Sequence, residues 1–556
     1  MNKVQYDVII IGSGVGGLSA AICLSREGKK VLVLEQHDVP GGWCHSFYLN
    51  GFRFTPGVHY VGLLDKGQST STLYEGLGIA NDLVFFRMNP DAYEHCHIGN
   101  DRFNFPANFE ALIERLSEKF PKEKKNITKY LNLVRNVSRQ LQLLPYVKGF
   151  WQHLTIPFRT KEMGKYALFS LKRVINWHLK DPLLKKILNI QFGDHGLSPA
   201  KASFPLHCAV MDHYFNGGFY PMGGGGAIVK AMTNKIKTYN GEVRTSTSVK
   251  KILIDSGKVK KAIGVLLESG EQLFSDLIIS NADPDITYRK LVGEQHLSKR
   301  LIKKLNKTKY SCTSLMLFLT VDADLRKIGL DSGNIWLMED GEMDDVYSKM
   351  LHPNVELDEA FPGMFISCTT LKDPVSFDGK HHTIEAITYI DYEVFKEFEN
   401  EDFERSKKYL DFKEIMKRKM LNTIEKVIPE IKKHIVHSDL GTPITNEYYI
   451  NSTAGSVYGT EKSLKNIGPF AYKAKSEIKN LFLCGASIAS HGVAGASYSG
   501  VQTAGEILGK SQDELVTMDP DQDIRIFSAE DPSEYPDWML KKIAVKEARL
   551  ASSVKT

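Results

Sequence analysis

The segment from Tyr6 to Glu35 constrains this chain more than any other part of it. Residues 8–11 are a continuous apolar run, the pattern of a parallel strand buried on both faces. Gly12-Ser13-Gly14-Val15-Gly16-Gly17 follows and matches GxGxxG; residues 18–27 are amphipathic with helical period; residues 30–34 are a second apolar strand, closed by Glu35. Strand, glycine turn, helix, strand and acid in this order make a complete βαβ unit of the dinucleotide-binding kind. Gly12 permits the tight turn, Gly14 admits a pyrophosphate against the backbone, and Gly17 lets the helix pack closely on the strand. The helix start offers free N–H groups and a positive dipole end to phosphates. Glu35 can accept hydrogen bonds from ribose hydroxyls, and its charge disfavours a 2′-phosphate.

The rest of the composition narrows the class. A chain of 556 residues corresponds to about three domain-sized units. With 42% hydrophobic and 25% charged residues it has the makeup of a globular protein, which excludes a disordered chain or a disulfide scaffold. The 71 Lys and Arg against 66 Asp and Glu leave +5, too weak a balance for a nucleic-acid partner. The seven cysteines are odd in number and include no CxxC pair, which fits free thiols in a reducing compartment and argues against a zinc ribbon. His95-Cys96-His97 would place alternate residues on opposite faces of a strand, so no metal site is expected there. The start of the chain passes almost directly into the first strand and does not read as a signal peptide. No run of 18 apolar residues occurs, so the expected location is cytoplasmic, with peripheral membrane attachment left open.

Further motifs decide the dinucleotide. Gly41-Gly42 stands one short turn beyond the second strand. Gly241-Glu242-Val243-Arg244 leads into Ser248-Val249-Lys250-Lys251-Ile252, then Asp276-Leu277-Ile278-Ile279-Ser280-Asn281-Ala282-Asp283-Pro284. Near the C-terminus stand Asn480-Leu481-Phe482-Leu483-Cys484-Gly485 and Gly492-Val493-Ala494-Gly495-Ala496. This series resembles the large FAD-dependent amine oxidase and phytoene desaturase superfamily. A finer resemblance runs through Gly41-Gly42-Trp43-Cys44-His45-Ser46-Phe47, residues 51–62, residues 196–224, Thr442-Pro443-Ile444-Thr445-Asn446 and Tyr458-Gly459. It points to the family of retinol saturases, carotenoid cis–trans isomerases and bacterial phytoene desaturases, nearest the retinol saturase branch, and covers most of residues 1–510. Trp43 stands where many superfamily members carry Arg, Thr55 where an acid is frequent, and Ala486 where some flavoproteins have Asp.

The resemblance implies an α/β fold: a Rossmann-type FAD-binding domain with an inserted α+β substrate domain. The FAD-binding domain is expected to be discontinuous, over 1–85, 215–295 and 440–510, with the substrate domain in 86–214 and 296–439. The implied cofactor contacts are Gly12, Ser13, Gly14, Val15, Gly16, Gly17, Glu35, Gln36, Gly41, Gly42, Trp43, His59, Val249, Asn281, Gly485, Ala486, Val493 and Ala494. In such proteins the Val249 position touches the adenine through its main chain and the Gly485 segment follows the ribityl chain. The helix near Gly495 points its N-terminus at the flavin N1/C2=O edge, where it favours negative charge. Strand patterns at 101–105, 314–321, 364–369 and 382–390 suggest an antiparallel sheet over the flavin; helical patterns cover 109–120, 129–143 and 412–428. The glycine run 223–226 is not read as lying between a strand and a helix with a downstream acidic ribose ligand, so a dedicated NAD(P)H domain is not expected.

Two segments stand apart. Residues 145–190 carry nine Lys and Arg against two acids, interleaved with Phe150, Trp151, Phe158, Tyr166, Phe169 and Trp177. Aromatic and basic residues together suit contact with a membrane surface. Residues 511–537 hold nine acids against one Arg, followed by a short basic helix, and read as a solvated extension.

The chemistry implied by the family is FAD-dependent redox at a C=C bond of a hydrophobic isoprenoid. Saturation of a retinoid- or carotenoid-like polyene by reduced flavin is the preferred reading. Cis–trans isomerisation and desaturation are alternatives on the same fold, and a non-catalytic prenyl-lipid-binding flavin-fold protein is an alternative of another class. An external electron donor or acceptor is implied. His45 and His59 are the candidate proton donors or positioning groups. Tyr214 and Tyr220 are candidates for lining a polyene channel.

Overall fold

The structure is a computed structural model that describes residues 5–144, 155–257, 259–399, 405–488 and 490–553. Strand β1 (Tyr6–Ile11), helix α1 (Val15–Arg26) and strand β2 (Val31–Leu34) form the expected βαβ unit. β1 pairs in parallel with β2, with Ile10 opposite Val33, and on its other side with the end of strand Gln272–Ser280. Parallel strands Glu242–Arg244 and Leu481–Leu483 and an antiparallel meander through Val249–Asp255, Lys261–Leu267 and Gln272–Ser280 complete a seven-stranded sheet.

Alternation explains why β1 and β2 are apolar throughout. Val8, Ile10, Val31 and Val33 face a core shared with α1 and helices Gly225–Thr238 and Gly492–Leu508. Ile9, Ile11, Leu32 and Leu34 face a second core on the meander side. Both faces are covered, so neither can carry a polar residue without loss.

The second sheet is also seven-stranded, in the order Ile435–Gly441, Thr313–Val321, His382–Ile390, Gly363–Cys368, Asn334–Met338, Glu94–Ile98, Asp101–Phe105. It is antiparallel, as expected, except at Asn334–Met338 against Glu94–Ile98, which run parallel. Leu315, Leu317, Leu319 and Val321 point to a core closed by helix Lys407–Glu425. Met316, Phe318, Trp336, Phe365 and Tyr389 point the other way, into a core shared with helices Phe109–Lys119, Lys124–Gln142 and Phe204–His213. Residues 145–154 of the basic-aromatic segment lie outside the described residues.

Two expectations are corrected. The tail is not a solvated extension: strand Arg525–Ser528 pairs in parallel with Val84–Arg87, and Tyr535 and Met539 are buried against Val84 and Phe86. The helix after it spans Asp537–Ser553, longer than expected. The apolar face of Met539 and Tyr535 outweighs the charge pattern, which only describes the outer side. The glycine run 223–226 does lie between a strand, Phe219–Pro221, and helix Gly225–Thr238. Its role is close packing: a Cβ at Gly224 would sit 2.2 Å from Thr55 Oγ1, and one at Gly225 2.4 Å from the Cys44 carbonyl oxygen.

Candidate functional site

A cavity opens at the carboxyl ends of the parallel strands, where open α/β sheets place their ligands. Its wall includes Gly12, Ser13, Gly14, Val15, Gly16, Glu35, Gln36, Gly41, Gly42, Trp43, Val249, Asn281, Gly485, Ala486 and Val493. Asn281 is the wedge that spaces this wall. A Cβ at Gly14 would come within 2.6 Å of its Nδ2, and one at Gly16 or Gly485 within 2.7 Å of its Oδ1. Gly12 has φ +91°, a conformation that side-chain-bearing residues avoid. Glu35 accepts from Ser13 N (3.0 Å), Ser13 Oγ (2.5 Å) and His37 N (3.0 Å), and Ser13 Oγ accepts from Gly41 N at 2.9 Å. The acid thus ties the glycine turn, the end of β2 and the Gly41-Gly42 turn together.

The cavity fits a flavin dinucleotide on the structure's own features. Helices α1 and Gly492–Leu508 both begin on its wall, and neither has a side-chain N-cap, so their first N–H groups are left for an anionic group. The close-approach glycines keep this stretch of the wall free of side chains. Asp283, also on the wall, accepts from Thr453 N at 2.7 Å, Ile286 N at 3.0 Å and the Tyr310 hydroxyl at 3.1 Å, which fixes the loop carrying Tyr458. Lys462 lies behind the wall and donates to the Ala486 carbonyl at 2.6 Å. Burial alone pushes its ammonium down to about 7.

Beyond Tyr458 lies a polar interior that sequence reasoning did not single out. The turn Ile190–His195 collects side chains from across the chain. Tyr389 and Tyr458 donate to the Gly193 carbonyl at 2.6 and 2.9 Å, and His491 Nε2 lies 2.7 Å from the Asp194 carbonyl oxygen. Tyr60 Oη lies 2.6 Å from Glu94 Oε1 and 2.7 Å from Asp194 Oδ2. Glu94 also accepts from Trp336 Nε1 at 3.0 Å and Gln191 Nε2 at 2.9 Å. Burial pushes both carboxyls up. Asp194 rises to about 8, because burial and the Glu94 charge oppose a single compensating hydrogen bond from Tyr60. His491 is pushed down to about 4 by burial and Lys462. Asp194, Tyr458 and His491 nevertheless retain accessible surface. Tyr458 lines the cavity and His491 directly precedes the wall residue Gly492, so this polar cluster adjoins the cavity. The one sequence signal was the polar Gln191, Asp194 and His195 around Gly193, in an otherwise apolar stretch.

The remaining residues singled out in the sequence lie elsewhere. Gly17 is behind the wall, its Cβ position 2.4 Å from the Gly12 carbonyl oxygen, so it serves helix packing. Ala494 is in the first turn of helix Gly492–Leu508, next to the wall residue Val493. His45 Nδ1 meets the Gly42 carbonyl at 2.6 Å and its ring stacks on Phe47; burial lowers its pKa. His59 Nδ1 lies 3.0 Å from Glu385 Oε2, and its carbonyl accepts from Lys372 Nζ at 2.7 Å. Neither histidine lines the cavity. Tyr214 stacks on Tyr60 with ring centroids 4.1 Å apart, beside the carboxyl pair. Tyr220 is buried in the three-stranded sheet with Phe86 and Arg525–Ser528, away from it.

A Rossmann-type sheet with an uncapped glycine turn and a GG turn on the wall of a cavity defines an FAD-dependent oxidoreductase. The sequence signature of flavin containing amine oxidoreductases matches residues 15–508, and the chain belongs to that family. It is 29% identical over 527 residues to the all-trans-retinol 13,14-reductase of Danio rerio, across 91% of this chain and 86% of that one. The chloroplastic prolycopene isomerase of Daucus carota is 26% identical, across 90% of this chain and 79% of the relative. Among solved structures, wild-type putrescine oxidase bound to putrescine shares the fold at a TM-score of 0.61 and 15% identity, covering 91% of this chain and all of the other.

Proposed function

We propose that this chain reduces a carbon–carbon double bond of a hydrophobic polyene of retinoid or carotenoid type, with FAD as the redox group. The observation that carries the reading is the likeness to all-trans-retinol 13,14-reductases across 91% of this chain and 86% of theirs. The aromatic cluster of Tyr60, Tyr214, Trp336 and Phe365 next to the carboxyl pair suits a flat conjugated chain. FAD supplies hydride at its N5 when bound and reduced. This chain's residues would hold it: the glycine turn and Asn281 along the pyrophosphate, Glu35 at the ribose, and the start of helix Gly492–Leu508 beside the flavin ring.

A second reading, isomerisation without net electron transfer, is supported by the likeness to prolycopene isomerase. Anaerobic incubation of the chemically reduced protein with all-trans-retinol and with a poly-cis carotene separates them. A product heavier by two hydrogens supports saturation. Unchanged mass with shifted retention supports isomerisation. Stoichiometric FAD with no product from either would replace both by a lipid-binding role.

A hydrophobic polyene would partition into a bilayer, which supports a membrane role. Phe158, Leu168 and Trp177 are 84%, 77% and 53% exposed, beside Arg159, Lys161, Lys165 and Arg173. We infer that this face attaches peripherally to anionic lipid. Among the described residues no helix is long and apolar enough to cross a membrane. The seven free cysteines support a reducing compartment such as the cytoplasm, and the electrons are taken from an external donor.

A further inference from the structure

The chain Glu94–Tyr60–Asp194 contains one more oxygen than its visible protons can satisfy. Tyr60 has a single hydroxyl hydrogen, yet its oxygen is within hydrogen-bond distance of a carboxyl oxygen on either side, at 2.6 and 2.7 Å. Two ionised carboxylates could not both be satisfied by that hydrogen, so one carboxyl must carry a proton. Glu94 receives donors from Tyr60, Trp336 and Gln191, the surroundings of a carboxylate. Asp194 has no other donor to its side chain among the described residues. The proton therefore belongs on Asp194, which donates to Tyr60, which donates to Glu94.

The groups facing Asp194 do not change this assignment. Tyr214, Tyr389 and Tyr458 are phenols raised by burial, and His491 and His195 are both lowered by it, so all are neutral near pH 7. Lys372 acts on Glu94 and is held by the His59 carbonyl, Ser367 and Asn334; burial pushes its ammonium down to about 7.

We propose that Asp194 is the acid that supplies the proton when the double bond is saturated, with Glu94 as the positioning residue whose charge keeps it protonated and Tyr60 as the one that bridges the two carboxyls. The proposal rests on the reductive reading above. The Asp194 O–H bond breaks as a C–H bond forms at one alkene carbon. The other carbon takes a hydride, with its electron pair, from the reduced cofactor, which is thereby oxidised. Asp194 is left as a carboxylate accepting from Tyr60 and regains its proton from water. Saturation needs this proton; isomerisation consumes none.

The test uses flavin-loaded wild type, Asp194→Asn, Glu94→Gln and Tyr60→Phe, reduced anaerobically and mixed with all-trans-retinol across pH 6 to 9.5. Cofactor reoxidation and product mass are read, with retinol binding followed by tryptophan quenching. Wild type should be fastest below about pH 8 and slow above it. Removing the Glu94 charge should move that limb to lower pH. Removing the Tyr60 hydrogen bond should move it to higher pH. Asp194→Asn should abolish the limb and slow reoxidation at least about 100-fold with flavin content and retinol binding kept. Product formed by Asp194→Asn within threefold of wild type, with the same pH profile, overturns the proposal. If wild type forms no saturated product at all, the reductive reading fails and the donor role falls with it. An infrared band of a protonated carboxyl, present in wild type, lost near pH 8 and missing in Asp194→Asn, would then show that the shared-proton network itself stands. Absence of that band in wild type overturns the assignment of the proton.

Discussion

Two short turns are linked through Tyr458, which lines the cavity and donates to Gly193, and they are built on opposite principles. The turn between β1 and α1, with the Gly41-Gly42 turn beside it, works through what it lacks: Gly12, Gly14, Gly16, Gly41 and Gly42 leave the cavity wall free of side chains. The turn at 190–196 works through what it gathers: Tyr60, Glu94, Tyr389, Tyr458 and His491, from separate parts of the chain, converge on it. A turn that functions by absence leaves a compact sequence signature, because spacing alone carries it. A turn that functions by convergence leaves none, because each partner is unremarkable where it occurs.

This contrast can be broken experimentally. The largest effect is expected on the glycine side. A Cβ at Gly500 would stand 1.9 Å from the Gly16 carbonyl oxygen, a backbone atom that cannot step aside. Gly500→Ala should therefore cost above about 4 kcal/mol, the class of change that leaves little folded protein, and strip the flavin. Thermal unfolding and flavin absorbance check it. Retention of full flavin would mean the backbones are less tightly coupled than the glycines imply.

The interior should instead show loss without loss of flavin. Glu94→Ala orphans the Tyr60 hydroxyl, Trp336 Nε1 and Gln191 Nε2. At 1–3 kcal/mol for each buried unsatisfied group, partly relieved by water, about 3–4 kcal/mol of stability should go. Denaturant unfolding of the flavin-loaded variant reads this, and bound flavin per chain should stay at the wild-type ratio.

Lys462 sharpens the comparison through pH. Its folded pKa, about 7, is depressed from an unfolded value near 10.4. Between these values the unfolded chain binds the extra proton, so the burial cost is full below pH 7 and fades as pH rises. From pH 7 to 9 wild type should gain about 2 kcal/mol relative to Lys462→Met. Parallel stability curves for the two proteins would show that Lys462 stays charged.

The smallest effect is expected outside both turns. Replacing Phe158, Leu168 and Trp177 together by Ser should change stability by under about 0.5 kcal/mol per site. Sedimentation with anionic vesicles should fall several-fold, and unchanged sedimentation would remove the membrane proposal for this face.

Much of the fold was legible in the sequence. The strands at Asp101–Phe105 and His382–Ile390 have the bounds their alternation and β-branched content predicted. Helix boundaries were less legible: the pattern at 129–143 belongs to a helix that starts at Lys124, because its first turn is polar and solvent-facing. The tail misled because charge counts describe the exposed side of an element, whereas docking depends on the few apolar residues, Tyr535 and Met539, on the other. His45 and His59 drew attention as titratable groups beside a motif, but a histidine's role depends on what its ring meets. Here that is the Gly42 carbonyl and the Glu385 carboxylate.

The sequence by itself determined the dinucleotide fold, since a glycine turn, a buried strand and a terminal acid are local features whose spacing enforces their geometry. It also determined the family, through motifs spread along nearly the whole chain. Only the tertiary structure decided which acid meets which donor. Glu94, Tyr60 and Asp194 are separated by up to 134 residues, and hydrogen-bond geometry exists only once the two sheets and the helical layer have closed around them.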